Sequence, residues 1–279
     1  MKDPTRKSDR NREITIGKRN NLYQHIIVLK TNRYKRNQYK EIFVEGVRNI
    51  NIAIKHGWKV KHWIYQTGKP LSDWAKKMLS SYHTLENYSF SEELISEISG
   101  KTDKSELMAI FEIKNTEIRQ SSNPFIVLCN RPSKKGNLGS IIRSADSFNC
   151  DGIIVTGHAV DIYDPEVIVA SMGSYFAVDI QKIETNEEIL EYIANMRMTF
   201  PELQVIATTE DGEFFSHEID YKKPTILLMG NEADGLSMFY WDVCDKTVKI
   251  PMVGEASSLN LACATSIFLY EAFTQRNYK

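Results

Sequence analysis

The chain has 279 residues, of which 42% are hydrophobic and 25% charged, with a net charge of −1; these values are typical of a globular protein with one or two domains. No apolar run is long enough to span a membrane, and the first residues lack the hydrophobic segment of a signal peptide, so we expect no membrane partner. The four cysteines are widely spaced, without a CxxC pair or a neighbouring histidine, which predicts free thiols, no metal site and a cytoplasmic location.

The beginning of the chain is strongly basic. Residues 1–40 hold 12 Lys and Arg against 3 Asp and Glu, whereas the rest holds 23 against 33. A basic arm on an acidic body indicates a polyanion partner, because neutralising phosphates supplies affinity. For residues 1–17 a solvated, disordered tail is an equally good interpretation. Tyrosines interleave with the later basic residues, which favours RNA contact. We therefore predict a basic, partly disordered arm over 1–37, with RNA-binding residues Arg33, Lys35 and Arg36.

Residues 38–114 have the pattern of a small α/β domain. Apolar stretches at 42–44, 60–65 and 107–113 predict strands. Amphipathic stretches predict helices from Val47 to Gly57, over 71–82 and after Ser91. The polar stretch 115–124 is predicted to be an interdomain linker.

From Phe125 onward, strand, loop and helix patterns repeat. The predicted strands are 125–129, 153–156, 176–180, 204–208, 225–229 and 247–250. Because helical stretches separate several of them, we predict a mostly parallel sheet covered on both faces. Cys129 and Cys263 lie in apolar runs and are expected to be buried.

Three polar turns follow apolar runs in this half, at the places where open α/β sheets bind ligands. They are Gly136–Arg143, Leu228–Ser237, and Ile250–Met252 together with Ser257–Leu261. In the first turn, the glycines at 136 and 139 would allow a sharp bend and Asn137 would cap the next helix. Spacing lets Asn137 and Arg143 face one cleft, but from spacing alone a helix cap and a surface ion pair with Asp146 are the favoured explanation.

The third turn opens a stretch of 15 uncharged residues, 256–270. This stretch predicts a helix that is buried nearly all round, in a core or a subunit interface. Its first turn would favour an anionic ligand group. Capping by Ser257 or Ser258 would explain one serine, but not Asn260 one turn into an apolar helix.

In this order, the three motifs resemble those of the SpoU/TrmH branch of the SPOUT RNA methyltransferases. The sequence Phe-Val-Glu-Gly at 43–46 resembles the L30e-like substrate-binding domain that precedes many SpoU-type catalytic domains. The resemblance implies an α/β fold, with an L30e-like domain at 38–114 and a trefoil-knotted, parallel-sheet catalytic domain at 125–279. It also implies a homodimer.

The activity that the resemblance implies is methyl transfer from S-adenosylmethionine to a ribose 2′-hydroxyl of RNA, without a metal. The implied catalytic residues are Asn137, Arg143, Glu232, Ser258 and Asn260. The implied cofactor-binding residues are Thr208, Met229, Gly230, Asn231, Gly235, Ile250, Met252, Ser258 and Leu259. Lys134 and Lys135 are expected to add affinity for RNA phosphates.

The expected substrate is 23S ribosomal RNA, because the predicted L30e-like domain and the basic arm suit a large structured RNA. The alternatives are a tRNA 2′-O-methyltransferase, a self-protection enzyme against a ribosome-targeting antibiotic, and a non-catalytic RNA-binding or ribosome assembly factor. Since a guanidinium is a poor general base, our hypothesis is that Arg143 binds the ribose or its phosphate. Glu232 would position Arg143 or Asn137.

Overall fold

The computed structural model describes residues 11–100, 104–114, 116–119 and 121–278. These residues form two compact units. The first comprises the described residues up to Lys114 together with Tyr163–Val169, and the second comprises the described residues of 115–162 and of 170–278. Residues 1–10 of the predicted basic arm lie outside the described ranges. None of the helices in those ranges combines the length and the apolar character needed to cross a bilayer.

The first unit is built on a five-stranded mixed sheet. Its strands are β1 (Arg12–Ile16), β2 (Glu41–Glu45), β3 (Val60–Gln66), β4 (Glu86–Phe90) and β5 (Leu107–Glu112). The strand order is β1-β4-β3-β5-β2, with β1, β4 and β3 parallel and β5 antiparallel to both of its neighbours. The helices are α1 (Asn21–Thr31), α2 (Arg33–Tyr39), α3 (Val47–Lys55), α4 (Asp73–Ser81) and α5 (Glu92–Ser99).

The start of the chain belongs to this unit. The prediction that residues 1–17 are unstructured is wrong for β1, which pairs in parallel with β4, another strand that the sequence pattern missed. Its neighbour α1 packs Ile26 and Leu29 into the same core as Phe43 and Ile64. Residues 12–37 are therefore part of the first unit, where the sequence predicted a separate arm.

Arg36 is buried, which corrects its predicted role in RNA binding. Its side chain is 1% exposed, donates hydrogen bonds to the carbonyl oxygens of Leu29 (2.8 Å) and Lys30 (3.1 Å), and lies 3.5 Å from the carboxylate of Asp164. A guanidinium enclosed in this way stabilises the fold and does not face a ligand. Lys35 is half-buried and donates to Gln38 at 3.1 Å.

The second unit is a seven-stranded sheet in which every pairing is parallel. Its strands are β6 (Phe125–Asn130), β7 (Gly152–Thr156), β8 (Ile180–Ile183), β9 (Gln204–Thr208), β10 (Phe214–Phe215), β11 (Thr225–Met229) and β12 (Lys246–Lys249), in the order β10-β12-β9-β11-β6-β7-β8. Its helices are α6 (Lys135–Ser147), α8 (Asn186–Thr199) and α9 (Leu261–Tyr278). The intervening helix α7 (Pro165–Ala170) falls, except for Ala170, within the first unit. The predicted parallel α/β architecture is confirmed, and the trefoil knot stays a prediction.

One predicted strand is misplaced. Residues 176–180 were expected to form a strand, but Ser174–Phe176 forms a short 3-10 helix and β8 begins at Ile180. The aromatic rings of Tyr175 and Phe176 are buried there. The apolar residues of 176–180 are therefore explained by burial. A buried turn and a strand give the same apolar pattern over so short a stretch.

The start of α6 differs from the prediction. Lys134 occupies the N-cap position, so Asn137 lies inside the first turn and does not cap the helix. Gly136 and Gly139 are also helical residues, and neither makes the sharp bend that was expected. The side chain of Asn137 is thereby available for other contacts.

The last helix, α9, begins at Leu261, five residues later than predicted. Asn260 is its cap, since Asn260 Oδ1 accepts a hydrogen bond from the backbone of Ala262 at 2.9 Å. Within the single chain the helix is not buried all round, because Ile267 and Tyr270 are 39% and 57% exposed. Cys263 is exposed in the single chain as well and does not lie in the core, whereas Cys129 is buried as expected.

Candidate functional site

Four strands of the second unit, β6, β9, β11 and β12, carry the loops around one cleft of about 780 Å³. In a parallel sheet the carboxyl ends of neighbouring strands meet at one edge, which brings loops from distant parts of the chain together. The volume is in the range of small-molecule sites. All nine residues predicted to bind the cofactor line this cleft: Thr208, Met229, Gly230, Asn231, Gly235, Ile250, Met252, Ser258 and Leu259.

The loop after β11 is folded tightly on itself. Asn231 Oδ1 accepts hydrogen bonds from the backbone of Ala233 (2.8 Å) and Asp234 (2.7 Å), and the Asn231 N–H donates to the carbonyl oxygen of Gly235 (2.9 Å). A Cβ atom at Gly230 would lie 2.5 Å from the carbonyl carbon of Gly235. The turn therefore requires glycine at 230 and presents a fixed backbone surface to the cleft.

Glu232 joins this loop to the start of α6. Its Oε2 accepts hydrogen bonds from the backbone N–H (3.0 Å) and the hydroxyl (2.7 Å) of Ser133, and its Oε1 accepts from the Lys134 N–H (3.2 Å) and from Asn137 Nδ2 (2.7 Å). Burial acts to raise the pKa of Glu232, but the hydrogen bonds from Ser133 and Asn137 outweigh it and hold the pKa below its usual value. The carboxylate is therefore ionised at neutral pH and acts as an acceptor that organises the loop.

Asn137 connects Glu232 to the third motif. While Asn137 Nδ2 donates to Glu232, Asn137 Oδ1 accepts a hydrogen bond of 3.1 Å from Asn260 Nδ2. Asn260 Oδ1 is held in turn by the first amides of α9. The three side chains form one hydrogen-bonded row, and Ser258 lines the same cleft.

Arg143 is not brought into this group within the single chain. It is exposed on α6 and is absent from the residues that line the cleft. No ion pair between Arg143 and Asp146 is present among the described residues, and Asp146 Oδ2 instead accepts a hydrogen bond from Ser174 Oγ at 2.6 Å. Of the two partners suggested for Glu232, the contact observed among the described residues is with Asn137.

Sequence reasoning missed Ser133 and the acidic residues Glu210 and Asp211, all close to the site. Ser133 is recognisable in retrospect as a hydroxyl residue in the turn before α6, where side chains often bind neighbouring backbone or carboxylates. Glu210 and Asp211 directly follow β9, at the edge of the sheet where ligands bind. Their position just after the predicted strand 204–208 could have identified them as residues near the site.

The cleft has a negative electrostatic character. Among its described lining residues are four carboxylates, Glu210, Asp211, Glu232 and Asp234, and one lysine, Lys134. This distribution favours a ligand with a positive centre. Apolar side chains cover other parts of the wall and suit a planar ring: Met229, Leu236, Ile250, Leu259 and Phe268. Across the described ranges, no group of three or more His, Cys, Asp or Glu side chains is arranged to hold a metal ion.

Comparison with known proteins gives two domain matches. Residues 124–270 match the SpoU rRNA Methylase family, and residues 20–109 match the SpoU L30e-like domain. Among curated proteins, the chain is 38% identical over 265 residues to the 23S rRNA (uridine(2479)-2′-O)-methyltransferase of Streptomyces viridochromogenes, covering 94% of this chain and 92% of that protein.

Solved structures give the same picture. The crystal structure of the SpoU methyltransferase AviRb from Streptomyces viridochromogenes in complex with AdoMet superimposes with a TM-score of 0.88 at 38% identity, covering 93% of this chain and 99% of that one. An AdoMet-bound rRNA methyltransferase from Sinorhizobium meliloti superimposes with a TM-score of 0.81 at 31% identity, covering 96% and 99%.

Proposed function

This chain belongs to the SpoU rRNA Methylase family, and on that premise we propose that it transfers a methyl group from S-adenosylmethionine to a ribose 2′-hydroxyl of 23S ribosomal RNA. The observation that carries the proposal is the hydrogen-bonded row of Glu232, Asn137 and Asn260 beside a cleft of about 780 Å³. The name of the 38% identical relative supports 23S ribosomal RNA over tRNA.

The cleft has the chemistry that S-adenosylmethionine requires. Its carboxylates complement the positive sulfonium, and its apolar wall suits the adenine ring. The residues that would hold the cofactor are the nine predicted ones, Thr208, Met229, Gly230, Asn231, Gly235, Ile250, Met252, Ser258 and Leu259. When bound, the cofactor supplies a methyl group that the sulfonium already activates.

The protein's own contribution is to orient the substrate hydroxyl. Each amide nitrogen of Asn137 and Asn260 carries two hydrogens, and the bonds described above use one of each pair. The remaining hydrogens are available to ribose oxygens, and Ser258 adds a hydroxyl in the same cleft. Glu232 keeps Asn137 in place and, with its carboxylate already accepting four hydrogen bonds, is not the proton acceptor.

We assign Arg143 to the ribose or its phosphate, because a guanidinium stays charged and binds oxygen anions through two parallel hydrogen bonds. Further phosphate contacts would come from Lys134, which lines the cleft, and from Lys135, Arg33 and Lys35, which do not line it. We further propose that the protein acts in the cytoplasm.

We also propose a homodimer. The support is an exposed stripe on α9, formed by Cys263, Ile267 and Tyr270 at helical spacing. A second copy of the chain would cover this stripe.

Methyl transfer from tritiated S-adenosylmethionine to purified 23S rRNA, 16S rRNA and tRNA tests the function. We expect label in 23S rRNA, recovered after digestion as a 2′-O-methylnucleoside. Label confined to tRNA would favour the tRNA alternative. If calorimetry detected no binding of S-adenosylmethionine and no RNA was labelled, the non-catalytic RNA-binding alternative would replace this proposal.

A further inference from the structure

Two consecutive residues at the end of β6, outside the row of site residues, each carry a buried donor without a partner in the part of the chain that the structure describes. Asn130 is 2% exposed, and its Nδ2 has no hydrogen-bond partner among the described residues; the Nε of Arg131 is buried and unpartnered in the same way. Buried donors are nearly always paired, and an unpaired one destabilises the fold. Two consecutive donors of this kind indicate a place where an acceptor group binds.

The backbone of Arg131 is in the left-handed region, with φ of 49°. For a residue other than glycine this conformation is strained, and it is found preferentially at functional sites. The Arg131 N–H donates to the carbonyl oxygen of Thr156 at 3.2 Å. Its side chain passes over Gly157, where an added Cβ would lie 3.0 Å from Arg131 Cγ. The direction of the guanidinium is thus set by its surroundings.

Polar groups surround this arginine. Thr156 Oγ1 and Tyr240 Oη are hydrogen-bonded at 3.1 Å. Burial raises the pKa of Tyr240, and the positive charge of Arg131 acts in the opposite direction, so the guanidinium is within electrostatic reach of that hydroxyl. No carboxylate among the described residues pairs with Arg131, although the residue keeps some surface in solvent.

Arg131 is also the first residue of the loop between β6 and α6, and this loop is held in place near its start. The next carbonyl, of Pro132, accepts a hydrogen bond from the Val160 N–H at 2.8 Å, and the residue after that, Ser133, binds Glu232. Lys134, which follows, lines the cleft. An anion held by Arg131 would therefore be close in sequence and structure to the proposed site of methyl transfer.

We propose that Arg131 binds a backbone phosphate of the RNA substrate near the methylated nucleotide. The inference rests on the proposed function for the identity of the anion. Phosphate oxygens carry negative charge and only accept hydrogen bonds, which matches a charged guanidinium whose Nε is a donor left unpaired by the described residues. This contact fixes the position of the RNA strand along the protein and does not distinguish one base from another.

The test compares RNA binding by wild type and Arg131→Gly across a series of salt concentrations. Glycine adopts the left-handed conformation without strain, so we expect this variant to fold with an unchanged or higher melting temperature. Loss of one phosphate contact should weaken RNA binding and lower the slope of log K against log salt by about one. Arg131→Lys, which keeps the charge, should retain most of the slope.

The matched control is Arg197→Gln, which removes another guanidinium of the same unit that already pairs with Asp245 at 2.8 Å. It should leave the slope unchanged. A wild-type slope for Arg131→Gly would overturn the inference, as would a loss of S-adenosylmethionine binding together with a lowered melting temperature. The salt slope is measured from RNA binding and does not depend on methyl transfer. If the wild-type protein bound RNA without methylating it, the proposed function would be refuted. The salt slopes of the variants would still decide whether Arg131 contacts a phosphate.

Discussion

Asn260 donates a hydrogen bond of 3.1 Å from Nδ2 to Oδ1 of Asn137, a residue 123 positions earlier in the chain. Asn260 thereby has two functions, since its own Oδ1 caps α9 while its amide nitrogen joins the first and third motifs. The start of α9 and the orientation of the Asn137 amide are consequently set by one side chain.

We expect Asn137→Ala to lower kcat by about 100-fold, the usual effect of removing a group that orients the reacting atoms, with little change in cofactor affinity. Asn260→Ser keeps a capping oxygen and removes the amide, so it should also lower kcat while preserving the helix. If the two residues act as a unit, the double variant should be no slower than Asn137→Ala alone. Single-turnover methylation rates measure this, and multiplicative losses would contradict it.

The pH dependence of stability should report on Glu232. Its pKa is lowered in the folded state, so its contribution is fully present above the ordinary value of 4.5 and is lost as pH falls through the lowered value. In Glu232→Gln the side chain has one oxygen where the carboxylate has two, so it cannot accept all of the hydrogen bonds that Ser133, Lys134 and Asn137 donate. The melting temperature of the variant should therefore lie below that of wild type at neutral pH, and the difference should shrink below about pH 4.5. A constant difference down to acid pH would argue against the assignment.

Gly230→Ala should abolish cofactor binding, because the new methyl group would lie 2.5 Å from the Gly235 carbonyl carbon and force the loop to move. Gly136→Ala is the matched control. Gly136 is helical and a Cβ there meets nothing within 4 Å, so alanine should raise stability by up to about 1 kcal/mol. Calorimetric titration with S-adenosylmethionine measures the cofactor affinity of both variants. Equal affinities would show that the loop after β11 tolerates the added methyl group at position 230.

Arg36→Gln should destabilise the protein by about 3 kcal/mol, since it removes a buried guanidinium from the Asp164 carboxylate and from two carbonyl oxygens. Lys35→Gln, one residue earlier and half-buried, should change stability by less than about 0.5 kcal/mol. Urea unfolding measures both values. A loss of RNA affinity without a loss of stability in Arg36→Gln would restore the original prediction of RNA binding.

Thiol labelling should distinguish Cys263 from the buried cysteines. Burial raises the pKa of both Cys129 and Cys150 to about 12, so these thiols should react only after unfolding. Cys263 is exposed in the single chain and should react in the native protein. In the proposed homodimer its labelling should become faster on dilution. Mass spectrometry of tryptic peptides measures this, with Cys263→Ser as control, and a rate independent of concentration would count against a dimer at this face.

The elements with strong local patterns could be predicted closely. The strand β11 was predicted at 225–229 and is observed there, and β9 was predicted at 204–208 and is observed there. The failures have a common origin. The strand β1 was missed because its partner β4 is more than 70 residues away, and Arg36 was misassigned because its burial depends on contacts that a basic, tyrosine-rich stretch does not reveal.

The site shows the same division. The three sequence motifs predicted the ligand-binding edge of the sheet, because polar turns after apolar strands mark that edge, and their resemblance to a known family implied the residues around the cleft. They did not determine that Ser133 holds Glu232, that Asn137 binds side chains instead of capping α6, or that Arg143 lies outside the cleft of the single chain. The sequence by itself determined the helices, the strands and the positions of the motifs, through local hydrogen bonding and periodicity. Only the tertiary structure decided which side chains about 100 positions apart form hydrogen bonds with each other, because those contacts depend on how the edge of the sheet assembles.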